Sequence, residues 1–225
     1  MRTKTLLLTA ALSVASVATS MADVFSVNAV GYINLTLPPG YSLIANQLNA
    51  SNNVNTLNKV LPSVPVESLV NTFSANVYHS DIFNGSTWED ALTGDPSTTV
   101  ISPGKGFFFY NPTAGNITNT FVGEVPQGTN VVSLVPGYTL MGSPVPQQLS
   151  LKSNSFPQVL EMQFLTFKTN TYTAQINDGT PNGSGWQDPI SGNPTDPLLA
   201  VGQGAFIYNP GATPTNWTRA FSVNN

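Results

Sequence analysis

The chain has 225 residues, 7 of them basic and 11 acidic, with 8% charged residues in all and no cysteine. Nucleic acid and anionic membranes need clustered Lys and Arg to displace counterions, so this balance argues against both as partners. Without thiols the chain is neither a cysteine-anchored lipoprotein nor a disulfide-stapled scaffold, and its stability must come from an ordinary core.

Residues 1–22 read as a signal peptide: Arg2 and Lys4 form a positive start, Leu6 to Ala18 an apolar run, and Ser20-Met21-Ala22 a small-x-small cleavage site. The apolar run is too short to cross a bilayer core of roughly 30 Å, and no later segment is longer, so no integral membrane span is expected. The expected location is secreted: extracellular, cell-surface or periplasmic. Removing the leader leaves five basic side chains against eleven acidic ones. Asn, Thr, Ser, Gly and Pro then dominate the surface, which protects it weakly against self-association.

Beyond the leader, short segments rich in Val, Ile, Phe, Tyr and Thr alternate with Gly, Pro and Asn, the pattern of antiparallel strands. Strands are predicted at 32–37, 41–47, 69–73, 77–83, 106–111 and 118–122. A short helix is predicted at 56–61, capped by Asn55 and ended by Pro62. The series then repeats. Gly40-Tyr41-Ser42-Leu43-Ile44 returns as Gly137-Tyr138-Thr139-Leu140-Met141, and Thr72-Phe73 with Asn76 and Tyr78 returns as Thr166-Phe167 with Asn170 and Tyr172. Trp88 and Asp90 return as Trp186 and Asp188. Gly104-Lys105-Gly106-Phe107-Phe108-Phe109-Tyr110-Asn111-Pro112 returns as Gly202-Gln203-Gly204-Ala205-Phe206-Ile207-Tyr208-Asn209-Pro210. Second-copy strands are predicted at 131–135, 138–143, 163–167, 172–176, 204–209 and 218–223, with a weaker helix around 149–156. The expected fold is all-β: two tandem homologous antiparallel β-sandwich or barrel-like units, 23–125 and 126–225, with one short helix each.

Each copy is a control on the other. A residue kept in both serves the common unit, whereas one present in a single copy is a candidate for something local. Along the strand at 106–111, Phe107 and Phe109 face one way and Phe108 and Tyr110 the other. The second copy keeps Phe206 and Tyr208 but replaces the first pair with Ala205 and Ile207. The Phe108 and Tyr110 face is therefore the candidate shared core, and the Phe107 and Phe109 face is either packed differently or presents an apolar patch.

Catalytic signals are sparse. The single histidine, His79, is replaced by Thr173 in the second copy. There is no Gly-x-Ser-x-Gly elbow and no zinc spacing. Gly104-Lys105-Gly106 lacks the earlier glycine and the following Ser or Thr of a phosphate loop and reads as a turn entering a strand. Asp90 and Asp188 read as turn or capping residues, and each copy supplies only one convincing acid near its tryptophan, too few for paired-carboxylate chemistry. The loop 177–185 has oxygens that calcium could use but not the spaced carboxylates of a calcium loop. The expectation is no enzyme, no cofactor and no metal. If a ligand is bound, the candidates are Trp88, Trp186, Tyr78 and Tyr172, stacking on sugar rings, with Phe107 and Phe109 as an apolar patch.

The leader followed by Val27-Asn28-Ala29-Val30-Gly31-Tyr32, then Gly40-Tyr41-Ser42-Leu43-Ile44-Ala45-Asn46-Gln47-Leu48, the aromatic strand from Pro103 to Pro112 and Phe121-Val122-Gly123-Glu124-Val125-Pro126-Gln127-Gly128 together resemble a family of secreted β-repeat proteins from Verrucomicrobia and related bacteria. The resemblance covers essentially the whole mature chain and implies a bacterial host, but it brings no activity, ligand or catalytic residue. The expected role is a secreted, non-enzymatic structural or adhesive component of the cell surface or extracellular matrix. The alternative is a carbohydrate-binding module using exposed Trp and Tyr. Expected partners are further copies of the chain or a cell-surface glycan.

Overall fold

The computed structural model describes residues 29–152, 155–179 and 185–223. The leader, and the tip of the loop expected at 177–185, lie outside these residues. The described chain is all-β with antiparallel pairing. Two ribbons, β1 (Val30–Leu37) with β7 (Ile117–Glu124) and β8 (Gly128–Leu134) with β16 (Thr215–Phe221), flank two five-stranded sheets. The first sheet runs β2 (Gly40–Ala45), β6 (Gly106–Asn111), β3 (Leu69–Ser74), β4 (Val77–Phe83), β5 (Trp88–Asp90) in spatial order. The second repeats that order as β9 (Gly137–Gly142), β15 (Gly204–Asn209), β11 (Gln163–Lys168), β12 (Thr171–Asn177), β13 (Trp186–Gln187). Neither sheet closes into a barrel. A small pair, β10 (Leu149–Ser150) with β14 (Leu198–Leu199), lies outside both.

Alternation along the strands builds three layers of side chains. Ile33, Leu37 and Phe121 of the first ribbon meet Ile44, Val70, Phe107, Phe109 and Trp88 of the first sheet. Val132, Leu134 and Trp217 of the second ribbon meet Met141, Phe164, Ala205, Ile207 and Trp186. The opposite faces of the two sheets then close on each other through Leu43, Phe108, Leu140 and Phe206. Of the face expected as shared core, Phe108 and Phe206 join the two halves, whereas Tyr110 and Tyr208 are half-buried and lie outside this cluster. Phe107 and Phe109 are fully buried against their own ribbon, so of the two alternatives for this face it is the packed one that holds, and neither ring is open to a ligand. Strand β6 is covered on both faces, and burying each ring contributes about 1.5–3 kcal/mol.

The junction is held along a reciprocal backbone seam. Ala45 N–H donates to the Gly202 carbonyl at 2.9 Å, and its counterpart Gly142 N–H donates to the Gly104 carbonyl at the same 2.9 Å. Gly104 and Gly202 adopt φ of +86° and +74°, as the turn reading of Gly104-Lys105-Gly106 requires. Gly142 is glycine for a different reason: a Cβ there would sit 2.1 Å from the Ala45 Cβ.

Some elements differ from expectation. The helix α1 spans only Leu57–Val60, with Thr56 at its N-terminal boundary. Asn55 does not cap it, because its side-chain oxygen accepts the Ala50 N–H at 2.8 Å. The helix expected around 149–156 begins instead as strand β10, since Leu149 pairs with Leu199 and both are buried. The last strand lies three residues earlier at its start than expected, because Trp217 turns inward to fill the second core.

Candidate functional site

Two tight hairpins position the rings that line the junction. The β3–β4 turn places Ala75 and Asn76 at φ 50° and 62°, and the β11–β12 turn places Thr169 and Asn170 at 51° and 57°. Positive φ at both central residues matches the twist of the flanking strands and fixes their register. Phe73 is thereby set opposite Tyr78, and Phe167 opposite Tyr172. Strands β2 and β9 add Tyr41 and Tyr138, opposite Tyr110 and Tyr208.

The rings interlock about a pseudo-twofold axis. Phe73 meets Phe206 at 5.2 Å and 87°, while its counterpart Phe167 meets Phe108 at 5.2 Å and 89°. Tyr41 meets Phe108 at 6.2 Å and Tyr138 meets Phe206 at 6.1 Å, both edge-on. These edge-to-face contacts satisfy the ring quadrupoles and add to area burial. Phe108 and Phe206 are buried, but Tyr41, Tyr138, Tyr78 and Tyr172 remain 38%, 40%, 50% and 44% exposed, leaving aromatic surface open to a ligand.

Four cavities follow one another along this junction. A pocket of about 260 Å³ includes Tyr41, Asn71 and Phe167, and its twin of about 270 Å³ includes Tyr138, Leu165 and Phe73; the Tyr78 and Tyr172 pair lines both. Beyond Tyr41 and Phe167 the first pocket adjoins a groove of about 490 Å³, and beyond Phe73 and Tyr138 the second adjoins one of about 290 Å³. At the centre the Tyr78 and Tyr172 phenols adjoin and perturb each other's ionisation. Partial burial, followed by the neighbouring Tyr78, pushes Tyr172 up to about 12. Burial also raises Tyr78, against a smaller opposing effect of Tyr172. Asn71 lines the first pocket where Leu165 lines the twin, and its Oδ1 is buried from solvent with no partner among the described residues.

Of the six aromatic candidates, the structure brings only Tyr78 and Tyr172 together at an open surface. Trp88 and Trp186 are fully buried in separate cores, with no face to offer a sugar. Trp88 Nε1 donates to the Leu61 carbonyl at 2.9 Å. Tyr41, Tyr138, Phe73 and Phe167 were not among the candidates, although each is kept between the copies.

The aspartates and the histidine sit elsewhere. Asp90 accepts the Leu92 and Thr93 N–H groups at 2.8 and 2.9 Å, and Asp188 accepts those of Ile190 and Ser191 at 3.0 and 2.7 Å. These turn bonds, Thr93's first for Asp90 and Ser191's first for Asp188, hold both carboxyls below the usual range. Both aspartates are therefore turn residues. The turns present Leu92 and Ile190 at equivalent tips, 93% and 95% exposed. His79 Nε2 lies 3.3 Å from the buried Asp81, which also accepts Thr99 Oγ1 at 2.7 Å. Among the described residues no group of three or more His, Cys, Asp or Glu is placed to hold a metal, and no helix is long and apolar enough to cross a membrane. No family model matches the chain, and no curated protein and no solved structure matches it either.

Proposed function

We propose that this is an exported, non-enzymatic adhesive protein of a bacterial cell surface or extracellular matrix. In this reading it is built from two copies of one β unit, 23–125 and 126–225, and attaches by holding a cell-surface glycan in the junction between them. The observation that carries it is the open aromatic cleft centred on Tyr78 and Tyr172. A pyranose ring has an apolar C–H face and a rim of hydroxyls. Tyrosine offers a ring for the first and a phenol for the second. Preformed pockets lined by rings with a few polar groups suit such ligands.

The test is retention on a panel of immobilised polysaccharides, comparing the mature protein with Tyr78→Ala, Tyr172→Ala and the double variant. The three tryptophans are buried away from the cleft, so their fluorescence reports independently that each variant is folded. Retention that collapses in the double variant supports the reading. No retention by wild type, or equal retention by folded variants, refutes it.

Leu92 and Ile190 favour a second reading, in which copies of the chain also associate with one another. Among the described residues these side chains are almost wholly exposed, yet both copies keep a large aliphatic residue at the tip of the same Asp-anchored turn. Sedimentation over a wide concentration range tests this: association should weaken in L92S/I190S, and a wild-type protein that stays monomeric throughout removes the reading.

A further inference from the structure

We infer that the junction is a trough for a linear acidic glycan, gripping several successive rings, and not a pocket for one sugar; this rests on the carbohydrate reading above. The four cavities form an unbranched series. Successive members share a ring pair: Phe73 with Tyr138, then Tyr78 with Tyr172, then Tyr41 with Phe167. A chain molecule laid along this path meets a new aromatic pair at each step, whereas a single ring fills one cavity and leaves the rest empty.

Charge selects the kind of chain. After the leader the protein has eleven acidic and five basic side chains, yet no Asp or Glu lines any of the four cavities. Two of the five cations do, one in each outer groove: Lys168 in the larger and Lys105 in the smaller. The Lys105 ammonium gives one bond to the Val100 carbonyl at 3.1 Å and feels the Asp81 carboxylate outside the groove, with further N–H donors left for an incoming anion. An acidic protein that keeps its carboxylates out of a trough and puts a cation at each end is complementary to carboxylated or sulfated sugars, because charge complementarity governs which partners are admitted. The copies supply these cations from different positions: Lys105 stands where the second copy has Gln203, and Lys168 where the first has Ser74. Each substitution that removes a cation is thus already tolerated in the twin.

The experiment titrates the full mature protein with oligogalacturonates of one to six rings and with cello-oligosaccharides of matching length. Affinity for the acidic series should climb with ring number and level off near the four rings that four cavities accommodate. It should fall as salt is added, and drop about tenfold in K105Q/K168S, since two partly exposed ion pairs are lost. The neutral series should bind more weakly and be indifferent to that double variant. Affinity independent of length, equal binding of the neutral series, or an unaffected K105Q/K168S overturns the inference while leaving the glycan reading standing. Poly-glutamate binding as tightly as the sugar acid also overturns it. If neither series binds and the polysaccharide panel is also blank, both fall together.

Discussion

Exchanging one methyl group across the seam tests the junction directly. A Cβ added at Gly142 would lie 2.1 Å from the Ala45 Cβ, where carbon atoms normally stand about 3.5–4.0 Å apart. Gly142→Ala must therefore push the two sheets apart locally. Overpacking of this kind costs about 1–3 kcal/mol, and the two seam hydrogen bonds, worth about 1 kcal/mol each, lengthen with it. We expect a loss of about 2–4 kcal/mol in urea unfolding followed by the buried tryptophans. Ala45→Gly should cost about 1.5 kcal/mol, from one buried methyl group and the added freedom of glycine. Placing the methyl on the other side, as A45G/G142A, should return the protein close to A45G alone, because the remaining close neighbour is the Gln203 carbonyl at 3.0 Å. That is a coupling of about 2–4 kcal/mol between two residues nearly a hundred positions apart. A G142A protein within 0.5 kcal/mol of wild type, or a double variant equal to the sum of the singles, would refute the close approach.

Three other outcomes are expected. In alkaline titration by tyrosinate absorbance, one phenol should ionise only near pH 12, and Tyr172→Phe should remove that step. Because the folded state favours the neutral phenol, this contribution to stability is complete below the ordinary value of 10.0 and is lost as pH rises through about 12. The sign reverses for Asp90 and Asp188: their depressed values stabilise the fold above the ordinary carboxylate range and stop doing so as pH falls through them. Replacing both with Ala should lower Tm near neutral pH and flatten its decline in acid. Finally, Trp88→Phe should destabilise more than Trp186→Phe, by about 1–3 kcal/mol in urea unfolding followed by circular dichroism. The first strands the Leu61 carbonyl, whereas Trp186 Nε1 meets no acceptor among the described residues. Equal losses would show that the two indoles are bonded alike.

Much of the strand plan is legible because each strand carries its own two-residue rhythm. The segments at 77–83, 106–111 and 204–209 coincide with β4, β6 and β15. Strands β5 and β13 escape because they are only three and two residues long, too short to show a period. The two faces of β6 escape for a different reason: alternation separates Phe107 from Phe108 but cannot say that a second sheet covers the latter. The cleft is only partly legible, because of the logic of the duplication itself. A residue kept in both copies reads first as scaffold, yet a cleft on a pseudo-twofold axis is built from residues both copies keep, the candidates Tyr78 and Tyr172 among them. Tyr41 with Tyr138, and Phe73 with Phe167, were visible in the alignment and needed only that recognition. Trp88 and Trp186, also candidates for stacking on sugars, are core in both copies.

The connection between the halves is short: β7 ends at Glu124 and β8 begins at Gly128. It is also anchored, since Val125 N–H donates to the Ala29 carbonyl at 2.7 Å and Gln127 Oε1 accepts the Val223 N–H at 3.0 Å. So short a tether keeps each sheet at an effective concentration on the order of millimolar with respect to the other. A contact too feeble to join two separate molecules is then populated almost all the time within one chain. The junction can therefore keep partly exposed tyrosines and unfilled space that a free dimer would have to give up for tighter packing, because mass action supplies the association that those rings do not.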